Sequence, residues 1–215
     1  KLKINKISSH RLDAELLLSS VLNKKREDLL VNLNQIVKSK KVKKFDKFIK
    51  RRLNKEPIPY ILKKREFWSK DYFVKKGVLI PRPETELMVE KVIKVFKNRN
   101  INILDIGTGS GCILLSILSE LKDSKGIGID ISKHALKVAY KNLKKHNLSN
   151  RIKFYKKSVN EICFKKFDLI VSNPPYILKK DIKNLDDDVR KFEPKIALDG
   201  GNDGLDVIRK VIYKS

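Results

Sequence analysis

Apolar residues recur at helical spacing through the first quarter of the chain. Residues 12–22 are apolar on most of their circumference, as expected for a helix in a small bundle, and Ser8 and Ser9 precede them as candidate caps. A second apolar face runs through a lysine-rich stretch and consists of Val42, Phe45, Ile49 and Leu53. These patterns predict a small helical domain over residues 1–56.

Prolines and aromatic residues change the pattern between residues 57 and 83. Pro57 and Pro59 predict the end of the helical domain, because neither residue fits a helix interior. Short aromatic and β-branched runs follow, separated by polar turns, at residues 61–62, 66–68, 72–74 and 78–80. We interpret residues 57–83 as a β-hairpin linker.

From residue 84 onward the chain alternates between helices, short apolar strands and glycine turns, which is typical of a parallel α/β sheet. The first helix is expected to carry Met88, Val92 and Val95 on one face. The expected strands are residues 101–106, 126–130, 152–155 and 169–172. A later helix should be capped at Ser132, and a last one should follow Leu205. We therefore predict an α/β domain over residues 84–215.

The chain is strongly basic. Fifty Lys and Arg residues against 25 Asp and Glu residues give a formal net charge of +25. Such a charge suits an anionic partner such as RNA, but most of these residues are lysines spread over predicted helix faces. A generic lysine-rich surface and a functional basic face both stay open, and proximity to the ribosome fits either.

Several classes of protein are disfavoured. No apolar run of 18 residues is present and the first residues do not resemble a signal peptide, so we expect a cytoplasmic protein without a membrane span. Cys112 and Cys163 are far apart, and the three histidines form no metal-ligand spacing with them. We therefore expect no disulfide, no metal and no thiol chemistry.

A glycine-rich turn lies where the first predicted strand meets a helix. The turn reads Asp105-Ile106-Gly107-Thr108-Gly109-Ser110-Gly111. Taken alone, such a turn is also compatible with binding of a dinucleotide or with a purely structural role. The spacing lacks a P-loop lysine, however, and Asp105 disfavours phosphate and suits an ammonium. Asp130 ends the next strand, where a carboxylate can accept both hydroxyls of a ribose. Together these features fit S-adenosylmethionine and resemble the class I methyltransferases that use it.

A second motif, Asn173-Pro174-Pro175-Tyr176, ends the fourth predicted strand. It is either a plain proline turn or a site for a planar NH2 group. In the second case, the Asn173 side-chain oxygen and the Pro174 carbonyl accept the two N–H bonds, while the Tyr176 ring packs on the flat group. Positioning would then supply most of the rate. Adenine and a glutamine amide both carry such a group, so the motif alone does not separate them.

Further segments along nearly the whole chain resemble one family. They are Leu12-Asp13-Ala14-Glu15-Leu16-Leu17, Glu56-Pro57-Ile58, Arg65-Glu66-Phe67-Trp68, residues 79–86, Phe192-Glu193-Pro194 and residues 197–205. With the two motifs above, the chain is similar to the HemK/PrmC family of release-factor glutamine methyltransferases.

The resemblance implies a Rossmann-like class I methyltransferase sheet and methylation of the glutamine in the Gly-Gly-Gln motif of class I peptide chain release factors. It also implies a docking role for the helical domain and places Val159, with the glycine turn, Asp130 and Asn173, in the cofactor site. The alternatives left open are a ribosomal-protein glutamine, adenine N6 in a nucleic acid, and a non-catalytic fragment that binds a release factor or RNA.

Two departures from the family are visible. Ser158-Val159 replaces an Asp followed by an aromatic residue, so adenine recognition is expected to be weaker or to use backbone groups. The segments for the last three of seven strands are missing, and the first residues resemble the end of a helix, so we expect a fragment of a longer protein.

Four further assignments concern single residues or short runs. Trp68 is expected to pack in the core, and Arg82 and Glu84 to line the cofactor site or start a helix. Residues 186–188 are expected to form a solvated acidic face.

Overall fold

The structure is a computed structural model that describes residues 1–31, 36–161 and 166–214. The chain forms two compact units, one from Lys1 to Lys63 and one from Lys64 to the end of the described chain. No helix in the described part of the chain is long and apolar enough to cross a membrane.

The first unit consists of four helices. They are α1 (His10–Leu22), α2 (Arg26–Val31), α3 (Ser39–Leu53) and α4 (Ile58–Leu62). Their core includes Leu17, Ile49 and Ile61. A buried ion pair, Arg52 Nε to Asp13 Oδ2 at 2.6 Å, joins α3 to α1. Both predicted helices are confirmed, although Ser9 occupies the N-cap of α1 without a side-chain hydrogen bond.

Helix α4 corrects the interpretation of residues 57–62. Pro57 is its N-cap and Pro59 lies within its first two residues, where the missing N–H has no partner to lose. Ile58, Ile61 and Leu62 then pack into the core of the first unit. The prediction that residues 61–62 belong to a β-hairpin was therefore wrong.

The second unit opens with the predicted hairpin. Strands β1 (Arg65–Phe67) and β2 (Lys70–Tyr72) are antiparallel, and residues 78–80 form no strand. A 3-10 turn (Pro83–Thr85) leads into α5 (Glu86–Phe96), which buries Val89 and Val92. Val95, predicted on the same face as Met88 and Val92, is 59% exposed, so only part of that face meets the core. The face that meets the core is set by Val89 and Val92, three residues apart.

A four-stranded parallel sheet forms the centre of this unit. Its strands are β3 (Asn102–Ile106), β4 (Lys125–Asp130), β5 (Ile152–Lys156) and β6 (Leu169–Ser172), in the order β5-β4-β3-β6. Helices α6 (Cys112–Glu120), α7 (Lys133–Lys145), α8 (Asp187–Phe192) and α9 (Asp206–Lys214) follow the strands. The strand order reverses at β3, so its carboxyl end is the topological switch point where ligands bind in such sheets. The predicted α/β fold with four parallel strands is confirmed.

Two glycines in β4 allow helix α6 and strand β5 to approach closely. A Cβ at Gly126 would lie 2.7 Å from Leu114 Cδ1, and one at Gly128 would lie 2.6 Å from the Phe154 ring. Helix α6 is consequently buried from Cys112 to Leu118.

Candidate active site

A cavity of about 720 Å³ opens at the carboxyl ends of the parallel strands. Its lining includes most of the residues predicted for the site, namely Gly107, Thr108, Gly109, Ser110, Asp130, Val159, Asn173, Pro174 and Pro175. Parallel strand pairing explains why these residues lie together: Ile106, at the end of β3, is aligned with Ile129 of β4 and with Ser172 of β6. Three predicted residues lie outside the lining, namely Asp105, Gly111 and Tyr176.

The glycine turn adopts a backbone that other residues avoid. Gly107, Gly109 and Gly111 have φ of +75°, +56° and +82°. A Cβ at Gly107 would meet nothing within 4 Å, so this glycine is required by its backbone angle and not by crowding. The amides of Gly107 and Thr108 both donate to the Ile129 carbonyl, which fixes the turn against β4.

Asp105 lies fully buried beneath this turn. Its Oδ2 accepts a hydrogen bond from Thr108 Oγ1 at 2.6 Å, while Oδ1 has no partner among the described residues. Burial raises the pKa of Asp105 to about 7, and the negative charge of Asp130 adds to this, whereas the Thr108 hydrogen bond opposes it. Burial thus favours the neutral form of this carboxyl far more than in a solvent-exposed aspartate.

Asp130 ends β4 and lines the cavity. Its two oxygens accept from the Gly109 amide at 2.9 Å and from the Ser132 amide at 2.8 Å. Burial raises the pKa of Asp130, and the two N–H donors partly offset the shift. Each carboxylate oxygen keeps a further lone pair for a hydroxyl. Ser132 caps α7 as predicted, since its side chain accepts from the Ala135 amide.

The proline turn is held from two sides. Ser172 Oγ donates to the Ile106 carbonyl at 2.8 Å, which joins the ends of β6 and β3. On the other side, a Cβ at Gly200 would lie 2.8 Å from Tyr176 Cα, and one at Gly204 would lie 2.6 Å from the Tyr176 carbonyl oxygen. In the sequence, Gly200 and Gly204 served only as part of a family resemblance. Their close spacing is the feature that could have predicted a tight contact with the backbone of Tyr176. The Tyr176 side chain is 62% exposed.

A buried carboxylate closes the rim of the cavity. Glu193 Oε1 accepts from Arg82 Nη2 at 2.6 Å, and Oε2 accepts from the Ile80 amide at 3.0 Å. Arg82 and Pro194 line the cavity, so the pair joins two segments of its wall. Arg82 thus lies where it was predicted, whereas Glu84 is not in the lining. The position of Glu193 was missed.

Two other features singled out in the sequence, Trp68 and residues 186–188, lie outside the cavity lining and have structural roles. Trp68 packs against the core, and its indole N–H donates to Glu120 Oε1 at 3.1 Å. Asp187 pairs with Arg190 and Lys191 on α8.

Burial raises the pKa of Cys112 to about 12, which keeps its thiol protonated, and Cys163 lies outside the described residues. In residues 1–31, 36–161 and 166–214, no cluster of His, Cys, Asp or Glu is arranged to hold a metal ion.

Comparison with known proteins gives matches along most of the chain. Residues 1–62 match the PrmC N-terminal domain, and residues 97–196 match a methyltransferase domain. The release factor glutamine methyltransferase of Clostridium botulinum is 43% identical over 218 residues, which cover 100% of this chain and 77% of the relative. That of Buchnera aphidicola is 43% identical over 220 residues with the same coverage.

A longer relative and a solved structure extend the comparison. A bifunctional methyltransferase of Rickettsia typhi is 41% identical over 226 residues, covering 95% of this chain and 44% of the relative. The hMettl16 catalytic domain, solved in complex with MAT2A 3'UTR hairpin 6, gives a TM-score of 0.55 at 20% identity. It covers 67% of this chain and 55% of that one, and this likeness concerns the fold alone.

Proposed function

The chain belongs to the family of release factor glutamine methyltransferases, and we propose that it transfers a methyl group from S-adenosylmethionine to the glutamine side-chain amide in the Gly-Gly-Gln motif of class I peptide chain release factors. One observation carries the proposal: the Asn173-Pro174-Pro175 turn and the glycine turn line the same cavity. A methyl acceptor and a methyl donor held by these two turns would lie side by side. The proposed place of action is the cytoplasm, where release factors work.

The residues of the glycine turn fit the cofactor. Gly107 and Gly109 leave open space above the backbone, so a nucleoside can approach it closely. Asp130 lines the cavity and would accept the ribose hydroxyls. Asp105 is fully buried outside the lining, so it would support the glycine turn through Thr108 and not contact the ligand directly. Val159 lies in the lining, where an apolar side chain can pack on the adenine. When bound, S-adenosylmethionine supplies a methyl group on a positively charged sulfur.

The proline turn would position the amide nitrogen. Its lone pair is delocalised into the carbonyl, so the nitrogen is a poor nucleophile unless it is held in line with the methyl group. The Asn173 side-chain oxygen and the Pro174 carbonyl would accept its two N–H bonds and fix that orientation. Both acceptors are neutral carbonyl oxygens, which orient an amide N–H without removing its proton. We infer that the amide keeps both protons until transfer and then loses one to water.

Family membership favours glutamine over adenine as the acceptor. Both groups carry a planar NH2, and the turn itself suits either. The relatives that cover the whole chain are named for a release factor glutamine, and the similarity to the hMettl16 domain extends to the fold only. A role for the basic surface near ribosomal RNA stays a prediction.

Methyl transfer to a recombinant release factor tests the proposal. The protein would be incubated with methyl-labelled S-adenosylmethionine and either the intact release factor or one with alanine in place of the Gly-Gly-Gln glutamine. We expect label in the intact factor and none in the alanine variant. Equal labelling of both factors, or label in added RNA or DNA instead, would overturn the assignment.

A further inference from the structure

Helix α7 buries a single asparagine that uses its whole amide group. Asn142 is fully buried, and its Oδ1 accepts from the Phe73 amide at 2.7 Å. Its Nδ2 donates to the Phe73 carbonyl at 3.0 Å and to the Ser110 carbonyl at 2.9 Å. Asparagine is a modest helix former and is costly to bury without partners. Because all of its hydrogen bonds go to backbone groups, Asn142 connects the backbone of Phe73 to that of Ser110.

One of those groups belongs to the glycine turn. The peptide between Ser110 and Gly111 has its carbonyl held by Asn142, while its N–H donates to the Thr108 carbonyl at 2.8 Å. This peptide plane is thus fixed from both sides. It precedes the first residue of α6, and its rotation would reorient the amides at the start of that helix.

The other group, the backbone of Phe73, belongs to a segment that leads into the cavity wall. Residues 71–77 run along α7 and are held by Lys145, Asn142 and His134, whose side chains contact the backbone of Asp71, Phe73 and Lys76. The segment leads into Gly77, Val78 and Leu79, which line the cavity. Asn142 therefore contacts both the glycine turn and the segment that leads into the cavity wall.

We propose that Asn142 is a positioning residue for the cofactor turn. It sets the orientation of the Ser110–Gly111 peptide and holds this peptide at a fixed distance from residues 71–77. The inference rests on the proposed function, since it takes the glycine turn as the binding site of S-adenosylmethionine. Asn142 does not line the cavity and acts through Ser110.

The variant Asn142→Asp tests this role. It keeps the acceptor for the Phe73 amide but turns a carboxylate oxygen toward the Ser110 and Phe73 carbonyls. We expect the dissociation constant of S-adenosylmethionine to rise roughly tenfold or more, because the Ser110–Gly111 peptide is no longer held in its binding orientation; tenfold corresponds to about 1.4 kcal/mol. At saturating cofactor, the KM for the release factor should stay within about twofold of the wild type, since the acceptor turn is untouched.

Tyr140→Phe is the matched control on the same helix. It removes the hydrogen bond from Tyr140 to the Phe154 carbonyl, at 2.8 Å, without touching the glycine turn. Calorimetry at a temperature where circular dichroism shows each variant folded should give a wild-type dissociation constant for this control. If Asn142→Asp does not fold, Asn142→Ser carries the same expectation, because it removes the bonds without adding a charge.

Hydrogen exchange of the free protein gives a readout without cofactor. Amides of residues 107–111 should exchange faster in Asn142→Asp than in the wild type and stay unchanged in Tyr140→Phe. Unchanged exchange together with an unchanged dissociation constant would overturn the positioning role. A wild-type protein that binds no S-adenosylmethionine would instead refute the proposed function, while the exchange result would still show whether Asn142 anchors the turn.

Discussion

Asp105 should make the stability of the fold depend on pH in an unusual direction. Burial raises its pKa to about 7 from 3.8. The folded protein then keeps a proton that the unfolded chain loses above about pH 4. Because the unfolded state binds fewer protons in this window, the free energy of unfolding falls as the pH rises from about 4 to 7. Above pH 7 both states are ionised and the contribution levels off.

The size of the effect follows from the shift. One pKa unit corresponds to about 1.4 kcal/mol, and integration between pH 5 and pH 8 gives roughly 2.5 kcal/mol. Asp105→Asn cannot ionise, yet its amide oxygen still accepts the hydrogen bond from Thr108. The variant should therefore gain roughly 2.5 kcal/mol relative to the wild type across this range. All other titrating groups are shared, so their contributions cancel in the difference.

Urea denaturation followed by circular dichroism, at four pH values from 5 to 8 and constant ionic strength, measures this difference. Asp187→Asn serves as the control, because its exposed carboxyl has its pKa lowered by Lys191 and Arg190. Its difference from the wild type should stay flat above pH 5. If the Asp105→Asn difference is equally flat, the raised pKa of Asp105 is wrong.

Three further substitutions probe the cavity. Asn173→Ala should lower kcat by about a hundredfold or more and leave cofactor affinity within a few fold, because it removes one preorganised acceptor; unchanged turnover in a methyl-transfer assay would exclude Asn173 from the mechanism. Asp130→Ala should weaken S-adenosylmethionine binding by about 10- to 100-fold, measured by calorimetry, and an unaltered dissociation constant would contradict its ribose role. Glu193→Ala should cost about 2–3 kcal/mol in chemical denaturation, because the Ile80 amide loses its buried acceptor and Arg82 its partner; a loss under 0.5 kcal/mol would show that the rim relaxes freely.

Local patterns were sufficient for much of the fold. Strands β3, β4 and β6 are short, mostly apolar runs that end at or just before glycine, aspartate or asparagine, and such runs are typical of a buried parallel sheet. The Ser132 cap is likewise set by residues close in sequence. Because parallel strands align their carboxyl ends, the glycine turn, Asp130 and Asn173 could be placed at one edge without any knowledge of packing.

The wrong and missing predictions concern residues whose structure depends on contacts with residues distant in sequence. Residues 58–62 form a helix because Pro59 lies in the first turn, where a proline fits, and because their apolar side chains complete the core of the first unit. Asn142 and Glu193 are polar residues without a local signal, since their partners lie 69 and 111 positions away. The departure at Ser158-Val159 was visible in sequence, but Val159 still lies in the lining of the cavity.

The Arg82–Glu193 pair has a consequence for how the chain is made. Its two residues are separated by 111 positions. At a synthesis rate of about 5–20 residues per second, a ribosome needs roughly 6–22 s to add that length after Arg82. During this interval the carboxylate that pairs with the Ile80 amide and the Arg82 guanidinium has not been made. Each newly made copy can therefore complete this part of the cavity wall only after Glu193 has been added to the chain.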